Sequence, residues 1–190
     1  MQSNVRYSDG NQHKCYFFWR PNLEDGYLSN WLYSRFKAVD EDTGKTIDFY
    51  CSEQYFMWSK AKLFGDDEIA QKILEAKYDP KLYKELGKEV KGFDQKTWDI
   101  NKFVIMVEGN YRKFTDPRNV KLKNSLLGTG EAILAEASPY DKIWGIGIEA
   151  VEGKEEEFGD IRGWKGQNLL GKALMVVRDK IREEEKKRKR

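Results

Sequence analysis

The stretch Phe36–Gly65, F-K-A-V-D-E-D-T-G-K-T-I-D-F-Y-C-S-E-Q-Y-F-M-W-S-K-A-K-L-F-G, changes its character half-way along. Phe36 to Val39 and Thr46 to Tyr50 flank E-D-T-G-K, which predicts a β-hairpin with Gly44 in its turn. From Ser52, a plausible N-cap, the pattern turns helical and should stop near Gly65. Glu53 and Lys60 are seven residues apart, almost two helical turns, so they share one face of an otherwise aromatic and apolar helix. Phe56, Met57 and Phe64 lie on or beside that face. An amine held there loses solvation, which lowers its pKa and makes it a usable nucleophile. The same spacing also fits an ordinary amphipathic helix whose lysine reaches out to water.

Upstream of the hairpin, Met1 to Lys14 is polar and reads as a loosely attached or disordered leader, and Cys15 to Trp19 as a strand. Pro21 to Ser29 is loop-like. Downstream, helices dominate: one from Asp66 or Asp67 to Ala76, one over Pro80–Val90 interrupted by Gly87, and one over Gln95–Phe114. Pro117 to Leu127, closed by Gly128, is a further short helix. Ala132 to Ala135 fits either a strand or a short helix, and the Glu-rich Gly153–Gly159 reads as a solvated loop. Asn168 to Arg182 is amphipathic, with Leu169, Leu170, Ala173, Leu174, Val177 and Ile181 on its apolar side. The economical reading is one α+β domain, mostly helical around a small β-sheet or hairpin, over residues 15–182. A polar leader (1–14) and a charged tail (183–190) flank it.

The chain has 190 residues, enough for one domain with a real core. Its net charge of +2 conceals an asymmetry, because K-K-R-K-R at Lys186–Arg190 carries five positive charges and leaves the rest at −3. The body is therefore no general nucleic-acid grip, and the tail reads as solvated, with nuclear import or phosphate contact as the alternative. Two cysteines, Cys15 and Cys51, and a single histidine, His13, argue against a disulfide framework, a metal site or a histidine-based triad. With no apolar N-terminal run and no membrane-length segment, a cytoplasmic location is expected, without a cofactor or metal. Aromatics at 14% are unusually frequent; some must be core, and a surplus suits a pocket that stacks flat rings.

Three further segments concentrate functional residue types. Asn30, in L-S-N-W, satisfies a turn or fixes a sugar hydroxyl or base edge. Glu136, Ser138 and Asp141, followed by Trp144, Gly145 and Gly147, combine carboxylates, a hydroxyl and an indole with glycines that permit close backbone approach. Asn168 caps the last helix, whose start also offers amides and a dipole end to a phosphate. Trp98 and Trp144 are candidates for stacking.

Taken together these segments resemble the NADAR family, also described as riboflavin-biosynthesis-intermediate N-glycosidase-like proteins. The matching text includes L-S-N-W near residue 30, S-E-Q-Y-F-M-W-S-K-A (Ser52–Ala61) and L-G-K-E-V-K-G-F-D (Leu86–Asp94). It continues with R-K-F (Arg112–Phe114), L-L-G-T-G (Leu126–Gly130), E-A-S-P-Y-D-K-I-W-G-I-G (Glu136–Gly147) and W-K-G-Q-N-L-L-G-K-A-L-M-V-V-R (Trp164–Arg178). The resemblance runs from about Tyr16 to Arg182. It implies cleavage of an N-glycosidic bond at a ribose anomeric carbon, with two associated substrate classes: ribosylamino-pyrimidine intermediates of riboflavin synthesis, and ADP-ribose attached to guanine in DNA or RNA.

By motif position the family's covalent lysine falls on Lys60, its partner glutamate on Glu53 and its aspartate on Asp141. The chain departs from the family at Ser59 and Trp58, where glutamine and another aromatic are usual. It departs again at Lys102, where arginine is frequent and would give bidentate phosphate geometry. A Schiff base on Lys60 is the expected mechanism. The alternatives are a two-carboxylate hydrolysis by Glu53 and Asp141, and a non-catalytic module that binds ADP-ribose or a nucleotide. Oligomeric state is not encoded in any of these features.

Overall fold

The computed structural model describes residues 1–189, so the last basic residue of the tail, Arg190, lies outside the described residues. The chain folds into two compact units. One is the continuous segment Asn30–Lys123; the other joins Met1–Ser29 to Asn124–Arg190.

The continuous unit opens with β3 (Phe36–Val39) and β4 (Thr46–Phe49), preceded in the chain by β1 (Gln2–Arg6) and β2 (Gln12–Phe18) of the other unit. β3 and β4 pair antiparallel, Phe36 opposite Phe49, with Gly44 in the turn at φ 70° as the sequence predicts. Four helices follow: α1 (Ser52–Leu63), α2 (Asp67–Glu75), α3 (Pro80–Lys88) and α4 (Gln95–Thr115). Their starts are written in the sequence. Asp66 accepts from the Ile69 amide, Asp79 from Lys81 and Leu82 with Pro80 at the first position, and Asp94 from Thr97.

α1 is the axis of this unit, packed by α2, α3, α4 and β4. Phe56, Met57, Trp58 and Ala61 are buried around it. Ser52 is not its N-cap; that position is Cys51, and the Ser52 hydroxyl turns inward to Asn110 Oδ1 at 3.3 Å. Gln54 joins two neighbours, accepting from the Tyr50 amide at 2.8 Å and donating to the Ile73 carbonyl at 2.9 Å. Gly65, at φ 69°, ends the helix in the left-handed conformation expected there.

The other unit holds a three-stranded sheet in the order β1-β2-β5, where β5 is Ile133–Glu136. β1 and β2 are antiparallel and β2 and β5 parallel, with Cys15 opposite Ile133. The ambiguous Ala132–Ala135 segment is thus a strand. The leader is not loose: it forms β1 and the start of β2, and Val5 is buried in a core with Cys15, Phe17, Ile133, Ala135, Ile146 and Phe158. That core also corrects the reading of Gly153–Gly159 as a solvated loop. This segment contains a single helical turn, α6 (Glu155–Phe158), whose Phe158 is fully buried against Phe17 at 4.9 Å between ring centres. α5 (Val120–Gly128) leads toward β5, and α7 (Leu169–Arg188) packs on it with Leu170, Ala173, Leu174, Val177 and Ile181 buried. α7 runs beyond Arg182, so most of the charged tail is helical. Buried Arg178 donates to Thr129 Oγ1 (2.8 Å) and the Ala132 carbonyl (2.7 Å), so L-L-G-T-G and V-V-R form one structural clamp. Among the described residues no helix is long and apolar enough to cross a membrane.

One buried charge has a measurable consequence. Lys113, on α4, is fully buried, and desolvation pulls its pKa down from 10.5 to about 7, a fall that the nearby Cys51 thiol opposes. Between those two values the unfolded chain binds a proton that the folded chain lacks, so stability rises with pH by at most about 1.4 kcal/mol per unit. Above pH 9 the Cys51 thiol, pushed up by burial to about 12, works in the opposite sense. Urea unfolding at pH 7, 8 and 9 should therefore show rising stability in the native protein. Lys113→Met should flatten that rise; an unchanged slope in the variant would rule Lys113 out as its source.

Candidate active site

Lys60 lies in the last turn of α1, half-buried. Its Nζ donates to the Gly87 carbonyl at 2.7 Å. The same nitrogen stands 4.4 Å from the centre of the Phe93 ring and 5.5 Å from that of Trp98. Among the described residues, no carboxylate is within ion-pairing distance of it. Burial therefore sets the direction, and the pKa of Lys60 is lowered from 10.5. A carboxylate would reverse that sign. A neutral carbonyl and two ring faces favour the ammonium more weakly.

Each part of this cradle has a local cause. Gly87 sits inside α3, where sequence reading sees only an interruption. A Cβ there would come 2.1 Å from Met57 Sδ, so its absence lets the Met57 side chain of α1 lie against α3. The close approach of α1 and α3 brings the carbonyl to the lysine. The connection from α3 to α4 is pinned at both ends. Asp66 accepts the Lys91 amide at 2.8 Å, and Asp94 accepts the Thr97 amide at 2.7 Å. Gly92, at φ 69°, makes the turn between them. Phe93 thereby packs on Phe64 with ring centres 5.2 Å apart, and Trp98, one turn into α4, packs on Phe56 at 5.1 Å.

Glu53 is buried in the first turn of α1. Its backbone amide donates to the Asn30 carbonyl at 3.1 Å. Asn30 itself is buried, with Nδ2 toward Met106 Sδ (3.1 Å) and Oδ1 accepting from Asn110 Nδ2 (3.1 Å). Its amide thus joins the segment before β3 to α4 rather than standing ready for a sugar. Lys102 forms an ion pair with Asp99 on its own helix.

The second group of sequence candidates lies in the other unit and mostly builds its own loops. Asp141 Oδ1 accepts the amides of Ile143 (2.9 Å) and Trp144 (2.8 Å), and Ser138 Oγ accepts that of Tyr140 (3.4 Å). The Glu136 carbonyl accepts from Ile146 at 2.8 Å. Gly145 and Gly147 serve close chain packing: a Cβ on Gly145 would meet the Glu136 and Asp141 carbonyls at 2.9 Å, and Gly147 has φ 68° beside Lys142 and Lys165.

Asn168 holds the N-cap position of α7 but makes no cap bond with its side chain. It has φ 53°, and its amide accepts from the Glu136 amide (3.0 Å) and donates to the Leu134 carbonyl (2.9 Å). Two first-turn amides of α7 are already used, because Leu169 and Leu170 donate to the carbonyls of Ile143 and Trp144. Among the described residues, no group of three His, Cys, Asp or Glu is placed to hold a metal ion.

Gly87 and Phe93 are thus neighbours of Lys60 that sequence reading does not single out. The one available signal was a glycine inside a helix on the lysine side of the fold. The lowered pKa of Lys60 has a direct check: the rate of its reductive methylation, followed by peptide mass spectrometry against pH, should rise with a midpoint below 10.5. In Gly87→Ala, where Met57 and α3 must shift, the midpoint should move by several tenths of a unit or more; identical curves would show that the carbonyl does not govern the amine.

Comparison with known proteins shows the family. The NADAR domain model matches residues 17–182. "N-glycosidase R617" of Acanthamoeba polyphaga mimivirus is 44% identical over 155 residues, covering 80% of this chain and 85% of that protein. "N-glycosidase Npun_R5314" of Nostoc punctiforme is 31% identical over 137 residues, 72% of this chain and 74% of its own length. The solution structure of the E. coli protein YbiA superposes with a TM-score of 0.66 at 26% identity, over 90% of this chain and 86% of YbiA. With its helical α+β fold and the family model spanning most of its length, this chain belongs to the NADAR family.

Proposed function

We propose that the chain is an N-glycosidase that cleaves the bond between a ribose anomeric carbon and a nitrogenous base through an imine on Lys60. The observation that carries this reading is a desolvated amine anchored by a carbonyl instead of a carboxylate. It stands at the family's lysine position, in a chain whose relatives bear the name N-glycosidase.

An anomeric carbon is a masked aldehyde. The neutral Nζ attacks C1′, a bond forms between them, and the bond from C1′ to the base nitrogen breaks as the base leaves with a proton. Opening of the ribose ring transfers the C1′–O4′ electron pair to oxygen and gives an iminium ion. Water adds to C1′, the C1′–Nζ bond breaks to release Lys60 as the free amine and leave the aldehyde, and O4′ then closes the ring on C1′. Glu53 is assigned by motif position to taking and returning these protons. Asp141 is assigned by motif to orienting the ribose or assisting the leaving base. The substrates proposed are ADP-ribosylated guanine in nucleic acid and ribosylamino-pyrimidine intermediates.

Lys60→Ala should lose cleavage by at least about a thousandfold while keeping its circular dichroism spectrum. Borohydride should trap a substrate adduct on the native protein and none on the variant. Because the neutral amine is the reactive form, kcat/KM should climb with pH toward the lowered pKa of Lys60 and level off above it. Turnover by Lys60→Ala without any adduct would instead indicate hydrolysis by two carboxylates. Binding of ADP-ribose without release of a base from either substrate would indicate a recognition module.

A further inference from the structure

We propose that Phe93 is a specificity-determining residue of this site, forming with Trp98 the aromatic wall that receives the planar leaving base; the proposal rests on Lys60 as the attacking amine. The argument is one of reach. A reacting C1′ must come within about 3–3.5 Å of Nζ. The base is bonded directly to that carbon, so its ring falls within one ring-width of the same nitrogen. Two aromatic rings already hold that position, with centres 4.4 and 5.5 Å from Nζ.

Phe93 is the less expected of the two. It is 41% exposed, which core packing does not require, yet it sits on a connection fixed by Asp66, Gly92 and Asp94 and is backed by Phe64. An exposed flat ring on a rigid loop is a stacking platform with little ordering to lose on binding. The ligand class that fits is a flat heteroaromatic base linked through nitrogen, not an aliphatic amine. There is also a coupling to the chemistry. In the free protein the ring faces support the ammonium, and a base that takes those faces removes a contact available only to the charged form. Binding of the correct leaving group thus favours the reactive neutral amine.

The test separates this role from that of Lys60. In the non-reacting Lys60→Ala background, calorimetry with ADP-ribosylated guanosine and with the ribosylamino-pyrimidine should show Phe93→Leu weakening binding by about tenfold. Phe93→Tyr, which keeps a flat ring, should stay within about twofold. With Lys60 intact, borohydride trapping of ribose 5-phosphate, which carries no base, tests the attacking amine of the native protein by itself. Equal affinities for Phe93 and Leu would overturn the proposal. So would equal losses in Leu and Tyr, which would mark Phe93 as a packing residue. Failure of the native protein to form any reducible adduct would instead overturn the Lys60 mechanism, and the binding comparison would still decide the role of Phe93.

Discussion

Burial of most of α1 is the constraint on which the lysine-bearing unit depends. A helix packed by three other helices and a strand has little outward face to give to polar groups, so its buried polar residues turn to partners inside. Ser52 meets Asn110, Gln54 bridges the end of β4 to the end of α2, and Asn30 and Asn110 close a small network around Met106. Such bonds contribute about 1 kcal/mol each, but leaving one partner buried and unmatched costs more, about 1–3 kcal/mol. The network therefore fixes register more than it adds stability. Lys60 and Lys62, at the end of the helix where the packing opens, are left half in water, and of the two only Lys62 pairs with carboxylates.

The second consequence of that packing is electrostatic. A lysine beside a carboxylate stays charged, and a lysine in open water keeps its ordinary pKa. Lys60 has neither surrounding. Its partners are a backbone carbonyl and two rings, brought up by a glycine that lets α3 lie close and by two aspartates that pin the connection to α4. A neutral acceptor can hold the nitrogen in place in either protonation state, which suits a group that must be both positioned and reactive.

Much of the scaffold was legible because its signals are local. The hairpin followed from Gly44 between two β-prone runs, and two helix starts followed from Asp66 or Asp67 and from Pro80. What failed was non-local or ambiguous. β1 is polar on most positions, and only Val5 shows its membership of a core that forms with strands far away in sequence. Glu136–Gly147 and Asn168 attract attention because Asn, Asp, Ser and Gly serve ligands and turns alike, and here their visible bonds are mostly to backbone. The partner of Lys60 is a carbonyl, a group every residue carries, so no side-chain pattern could point to it. Resemblance to a family located the lysine; only coordinates supplied what surrounds it.

The division of the chain carries a further consequence for its biosynthesis. Residues 30–123 form one compact unit without interruption, whereas the other needs both ends of the polypeptide. Its parallel pairing of β2 with β5 joins Cys15 to Ile133, closing a loop of more than a hundred residues, a slow and entropically costly step. During vectorial synthesis the unit bearing Lys60 has its whole sequence available while β2 still waits for its partner. The nascent chain thus has a natural order of assembly, in which the lysine cradle forms early and the exposed edge of β2 is the segment most in need of protection until β5 emerges.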